Sequence, residues 1–229
     1  MSNMEKSESE KIIKKMCNAK MRELGLKSNK SRNMWTEDCG YYAVVVNLYP
    51  QKGFGVAFMV AIYFLWNESQ SITFDYYRGD SPFLRVPGTQ GIGEALLYDD
   101  MYLEEHLKKI LKSIESEIKH FRTLDSYEKM LSELQSKSSL ETVDASIGKN
   151  LGCLYFILSD PSKACNTFKY SQTNCKNMFV KSEIEKYIEL TNHENEFLTF
   201  LNNNIELNRK KLQQKFPKAF SDQYILKMS

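Results

Sequence analysis

The chain has 229 residues, 42% hydrophobic and 26% charged, enough length and apolar content to bury a core without disulfide support. Its 31 basic and 29 acidic residues leave a net charge of +2, so no overall field draws it to nucleic acid or to an anionic membrane. The 5 cysteines include no Cys-x-x-Cys pair, which argues against a disulfide framework and a zinc ribbon alike.

The first residues, MSNMEKSESEKIIKKM, are polar where a signal peptide needs an apolar run, so a reducing cytoplasm is the expected location. Residues 5 to 24 place Ile12, Ile13, Met16, Ala19 and Leu24 near helical spacing, and Gly25 ends the pattern as a C-cap. Trp35 opens the next section. YYAVVVNLYP, GVAFMVAIYFLW and SITFDYYR follow, each rich in β-branched and aromatic residues and bounded by turn formers, and these read as strands. The longest apolar stretch, Phe54 to Trp66, falls short of the ~20 residues a membrane-spanning helix needs. Hairpin-length connections make consecutive strands antiparallel. In the central strand, Val56, Phe58, Val60, Ile62 and Phe64 alternate with Ala57, Met59, Ala61, Tyr63 and Leu65, so both faces are apolar and both need cover.

The connection from Gly79 to Asp99 contains GTQGIGEA, three glycines ahead of apolar residues, in the manner of a phosphate-binding loop. The spacing is G-x-x-G-x-G, no parallel strand returns after it, and no Lys-Ser/Thr pair completes a P-loop, so phosphate binding is disfavoured. So long a connection serves as a lid or partner-binding segment, or is a surface excursion without a role. From Tyr98 the period changes. Leu103, Leu107, Ile110, Leu111, Ile114, Ile118 and Phe121 form a helical stripe, a short helix is expected over Ser126 to Leu134, and Gln135 to Ser139 reads as a boundary. Ser138 and Glu141 fit a capping box for the next helix.

The remainder reads as helix. Leu151, Gly152, Tyr155, Ala164 and Phe168 fall at tetratricopeptide spacing, with Asp160 and Pro161 in the turn. The pattern does not recur 34 residues away, where Glu117 and Glu185 stand. A single hairpin is expected, needing neighbours near Lys181 to Leu190 and Glu194 to Lys215.

The order of elements, together with Leu24-Gly25-Leu26-Lys27, Trp35, Asn47-Leu48-Tyr49 with Gln51-Lys52, and Ala61-Ile62-Tyr63, resembles a bacterial family known as domain of unknown function 4304 over roughly residues 10 to 135. Leu26 replaces the family's usual aromatic residue, and Ala61 stands where glycine is common. The resemblance implies a fold and no activity.

The expected fold is therefore α+β: an antiparallel four-stranded meander flanked by helices over 1–136, then an α-helical, tetratricopeptide-like domain over 137–229. No catalytic set, metal site or cofactor motif assembles. His106 and His120 lie about 21 Å apart at the helical rise, too far to share a metal, and His193 sits near a helix start that Thr191 and Glu194 are expected to cap. Cys153 and Cys165 read as small core residues. Basic clusters occur at Lys27, Lys30 and Arg32 and at Arg209, Lys210, Lys211 and Lys215, without the interleaved exposed aromatics of a single-strand groove.

Three functions remain open. The favoured one is a non-enzymatic protein-interaction module, such as an immunity, antitoxin or defence-related partner in a bacterium. The others are an enzyme with a dispersed site under the 79–99 loop, and a weak nucleic-acid binder. Candidate ligand or partner residues are Trp35, Arg78, Asp80, Arg85 and Tyr170; Tyr187 and Phe197 could anchor a partner or fill the core.

Overall fold

The structure, a computed structural model, describes residues 6–31, 33–51, 54–68, 72–78, 83–84, 95–137, 145–217, 219–220 and 224–228. The fold is α+β, with an antiparallel sheet and a helical C-terminal part. The chain divides into two compact units: unit 1 comprises 1–63, 76–121 and 210–221, and unit 2 comprises 64–75, 122–209 and 222–229. Contacts between residues distant in sequence return 64–75 and 210–221 each to the unit they complete.

Unit 1 opens with α1, Lys6–Glu23. Gly25 ends it at φ 87°, where the Leu26 N–H donates to the Met21 carbonyl at 2.9 Å and the Gly25 N–H to that of Arg22 at 3.0 Å. This is a Schellman cap, and its usual apolar contact positions are Leu26 and Met21, both buried. The sheet follows: β1 Lys27–Ser28, β2 Met34–Asp38, β3 Tyr42–Gln51, β4 Gly55–Phe64 and β5 Ala95–Leu97, in the spatial order β1-β2-β3-β4-β5. The meander expected from sequence is present with five strands rather than four. Trp35 pairs with Val46 and Thr36 with Val45 across β2 and β3.

Every residue of β4 is buried, so both of its apolar faces are covered. Helix α2, Leu103–Arg122, buries the whole predicted stripe from Leu103 to Phe121. Lys20 of α1 and Glu115 of α2 pair at 2.7 Å, and the Tyr42 hydroxyl donates to the Phe121 carbonyl at 2.9 Å.

The expected third long strand, SITFDYYR, does not form. Tyr76 makes an isolated antiparallel bridge to Ile62, and residues 72–75 are not strand. The Asp75 side chain has taken over a ladder bond, because its Oδ2 accepts the Phe64 N–H at 2.8 Å. Nor is the 79–99 connection wholly irregular. Phe83 bridges Met59, and Ala95–Leu97 pairs with Gly55–Ala57 as β5. Gly88 to Glu94, most of the glycine-rich stretch, lie outside the described residues.

Unit 2 contains α3 Tyr127–Lys137, α4 Ala145–Ile157, α5 Pro161–Asn174, α6 Met178–Leu190 and, up to residue 209, α7 Glu194–Lys215. The expected hairpin is α4 and α5. Its turn places Asp160 as N-cap, with its side chain accepting from the Lys163 N–H at 3.0 Å and Pro161 following. Leu151, Tyr155, Ala164 and Phe168 are all buried. Gly152 lets the Phe168 ring press on α4, since a Cβ there would sit 2.3 Å from the ring. Phe156, Phe168, Tyr187 and Phe197, one each from α4, α5, α6 and α7, meet with ring centroids 4.5 to 6.1 Å apart. Tyr187 and Phe197 are thus core residues rather than partner anchors. Thr191 closes α6 as its C-cap instead of opening α7. Ser138 and Glu141, the expected capping box, lie outside the described residues.

Candidate functional site

Helix α4 is apolar on all sides and buried from Gly148 to Ile157, a pattern in which a charged side chain is costly unless it is paired. Lys149 is the charged exception, and its Nζ lies 2.7 Å from Glu183 Oε2 of α6 with both side chains nearly enclosed. The other carboxylate oxygen of Glu183 accepts the Glu68 backbone N–H at 2.8 Å and the Tyr187 hydroxyl at 2.9 Å. A charge so surrounded is fixed in place.

Beside this pair runs the segment 64–75. Phe64 and Trp66 stack at 4.9 Å, and the Trp66 indole N–H donates to Asn150 Oδ1 at 2.8 Å. Asp75 is buried, with Oδ1 accepting from the Thr73 hydroxyl at 2.8 Å. Burial pushes its carboxyl above the ordinary aspartate range, while the Lys149 ammonium and the Phe64 N–H oppose that rise. The same segment carries Asn67, 2% exposed, whose side-chain Nδ2 and Oδ1 have no hydrogen-bond partner. The amide is close enough to favour the charged form of Asp75 yet outside hydrogen-bond geometry. Its backbone carbonyl is held by Asn208 Nδ2 at 2.9 Å.

These residues border a cleft of about 710 Å³, entirely within unit 2. Asn67, Asp75, Lys149 and Glu183 supply its polar side, and Met178 and Phe179 at the first turn of α6 its apolar side. The latter two are 74% and 89% exposed, unusual for large apolar side chains.

The residues singled out by sequence do not gather here. Trp35 belongs to unit 1 and is buried, its indole N–H donating to Asn18 Oδ1 at 3.3 Å; it borders a smaller cleft of about 330 Å³ with Arg22 and Lys27. Arg78 does not line that cleft, and its guanidinium pairs with Glu117 at 3.3 Å. Tyr170 is half-exposed on α5 and lines neither cleft. Asp80 and Arg85 lie outside the described residues. Among the basic clusters, Arg209 is buried with its guanidinium 6.0 Å from the Tyr224 ring, and Arg32 lies outside the described residues.

Cys153 is buried and its thiol pushed up by desolvation, as befits a core residue; Cys165 is half-buried. Among the described residues no group of three or more His, Cys, Asp or Glu could hold a metal, and no helix is long and apolar enough to cross a membrane.

Sequence reasoning missed Asn67, Asp75, Lys149 and Glu183. Two signals were present: an aspartate inside an otherwise β-forming run, and a lysine inside an apolar helix. Comparison with protein-family models, with curated proteins and with solved structures finds no match to this chain.

Proposed function

We propose that this chain is a binding protein that captures an extended segment of a partner protein in the unit 2 cleft. The observation that carries the reading is Asn67, whose buried donor and acceptor are both unpaired at the cleft. Leaving such a group unsatisfied costs about 1–3 kcal/mol, so a fold that retains one favours an external partner supplying the missing bonds. The exposed Met178 and Phe179 alongside add apolar surface for a bound chain to cover.

The same geometry favours binding over catalysis. A general acid or base has to reach its substrate, whereas the carboxylates here are committed, Glu183 to Lys149, Tyr187 and the Glu68 N–H, Asp75 to Phe64 and Thr73, and Glu68 to Lys186. One setting for such capture is the immunity, antitoxin or defence role set out above; the cleft speaks to the chemistry of the segment.

Selection of random phage-displayed peptides against the full chain tests this. Ser182 is an exposed residue lining the cleft, so Ser182→Trp obstructs part of it without disturbing the core. Enriched peptides are expected to bind the wild type in solution and to lose at least about tenfold in affinity, or about 1.4 kcal/mol, against a folded Ser182→Trp protein. If nothing is enriched, or if the enriched peptides ignore Ser182→Trp, the capture reading is wrong.

A further inference from the structure

Resting on that reading, we infer that Asn67 recognises the captured segment through its backbone, pairing with the N–H and C=O of one extended residue. A primary amide presents a donor and an acceptor side by side, and an extended residue presents its own N–H and C=O toward the same edge. Two parallel hydrogen bonds therefore satisfy both orphan atoms at once. No single hydroxyl, ammonium or carboxylate on a partner does so, because each lacks one half of the pair or offers only one atom.

Unlike Asp75 and Glu183, the Asn67 side chain is not held by hydrogen bonds. Its amide is buried, but re-aiming it by rotation about its own side-chain bonds breaks no hydrogen bond. Asp75 and Glu183 would each forfeit bonds to move. Lys149 lies on the same wall with its described side-chain bond going to Glu183, and an ammonium carries three N–H donors. It is placed to take a second carbonyl of the bound segment while keeping its ion pair. Recognition of this kind is tolerant of peptide sequence, and the side-chain preference comes from the apolar Met178 and Phe179.

The test uses a peptide enriched on the wild-type chain and its derivatives N-methylated at one backbone amide at a time. Asn67→Leu removes the orphan donor and acceptor at similar volume, so the free protein is expected to melt at the same temperature or higher. The same variant binds the peptide at least about tenfold more weakly. One N-methylated derivative should lose part of that factor against the wild type and little further against Asn67→Leu, because the bond it deletes is one of the two that Asn67→Leu already lacks. The inference is overturned if Asn67→Leu binds as the wild type does, or if no N-methylation is coupled to it. A lower melting temperature with unchanged binding would instead assign Asn67 to the support of Asp75. Those outcomes leave peptide capture intact. Loss of capture itself is read separately, from the absence of any peptide sensitive to Ser182→Trp.

Discussion

Two helix ends use the same cap with different residues, and the difference sets up a matched experiment. Gly25 closes α1 at φ 87°, while Ser159 closes α4 at φ 61°, with the Asp160 N–H donating to the Tyr155 carbonyl at 2.9 Å and the Ser159 N–H to Phe156 at 3.0 Å. An L-residue in the left-handed region costs roughly 1–2 kcal/mol, part of which glycine gives back through its greater unfolded-state entropy. Gly25→Ala is therefore expected to destabilise by about 1 kcal/mol, and Ser159→Gly to stabilise by about 0.5 kcal/mol, in urea titrations. Opposite signs would show that the caps are not governed by backbone conformation. The glycine cap was legible in the sequence because Gly25 follows a periodic run. The serine cap was not, since nothing in the sequence marks Ser159 as left-handed. Asn67 was equally invisible, because an unpaired amide is a property of everything around it.

Among the elements, those with a strong period were readable and those decided by a side chain were not. The stripe of α2 and the hairpin of α4 and α5 follow from residue spacing alone. The strand expected over Ser71 to Arg78 has β-forming residues on either side of Asp75 and still does not form over 72–75, because that aspartate replaced a backbone partner. That aspartate has a pH signature. Its folded-state carboxyl is held above the unfolded value of ~3.9 by burial, so its contribution is fully present below that value and is lost as the pH rises through the raised one. Glu115 acts in the opposite sense: Lys119 and Lys20 pull it down to about 2, and its contribution is lost only as the pH falls through the acid range. Asp75→Asn keeps an acceptor for the Phe64 N–H and removes the buried titration. The stability of Asp75→Asn minus that of the wild type should grow as the pH rises above about 4, with denaturant midpoints as the readout. A difference that is flat across this range would mean Asp75 does not titrate there.

At the scale of the whole molecule, neither unit is a continuous stretch of chain. A fragment ending at residue 136 lacks 210–221, which contributes the buried Leu212, Phe216 and Phe220 to unit 1. The complementary fragment lacks 64–75 and with it Trp66 and Asn67. Both are expected to give weak, broad thermal transitions by circular dichroism, whereas the intact chain unfolds cooperatively; a sharp native-like transition from either fragment alone would contradict the division. The boundary expected from composition at Gln135 to Ser139 rests on local polarity, which does not report which distant segments complete a core.

The return of 210–221 to unit 1 bears on how the protein is made. Synthesis proceeds from the N-terminus, so the sheet and its two helices are translated long before the segment that completes their unit. Unit 2 waits as well, because its final piece begins at residue 222. Neither unit is whole until residues 210–221 and 222–229 respectively have been made, and over that interval the apolar β4 depends on a nascent chain still missing part of its core.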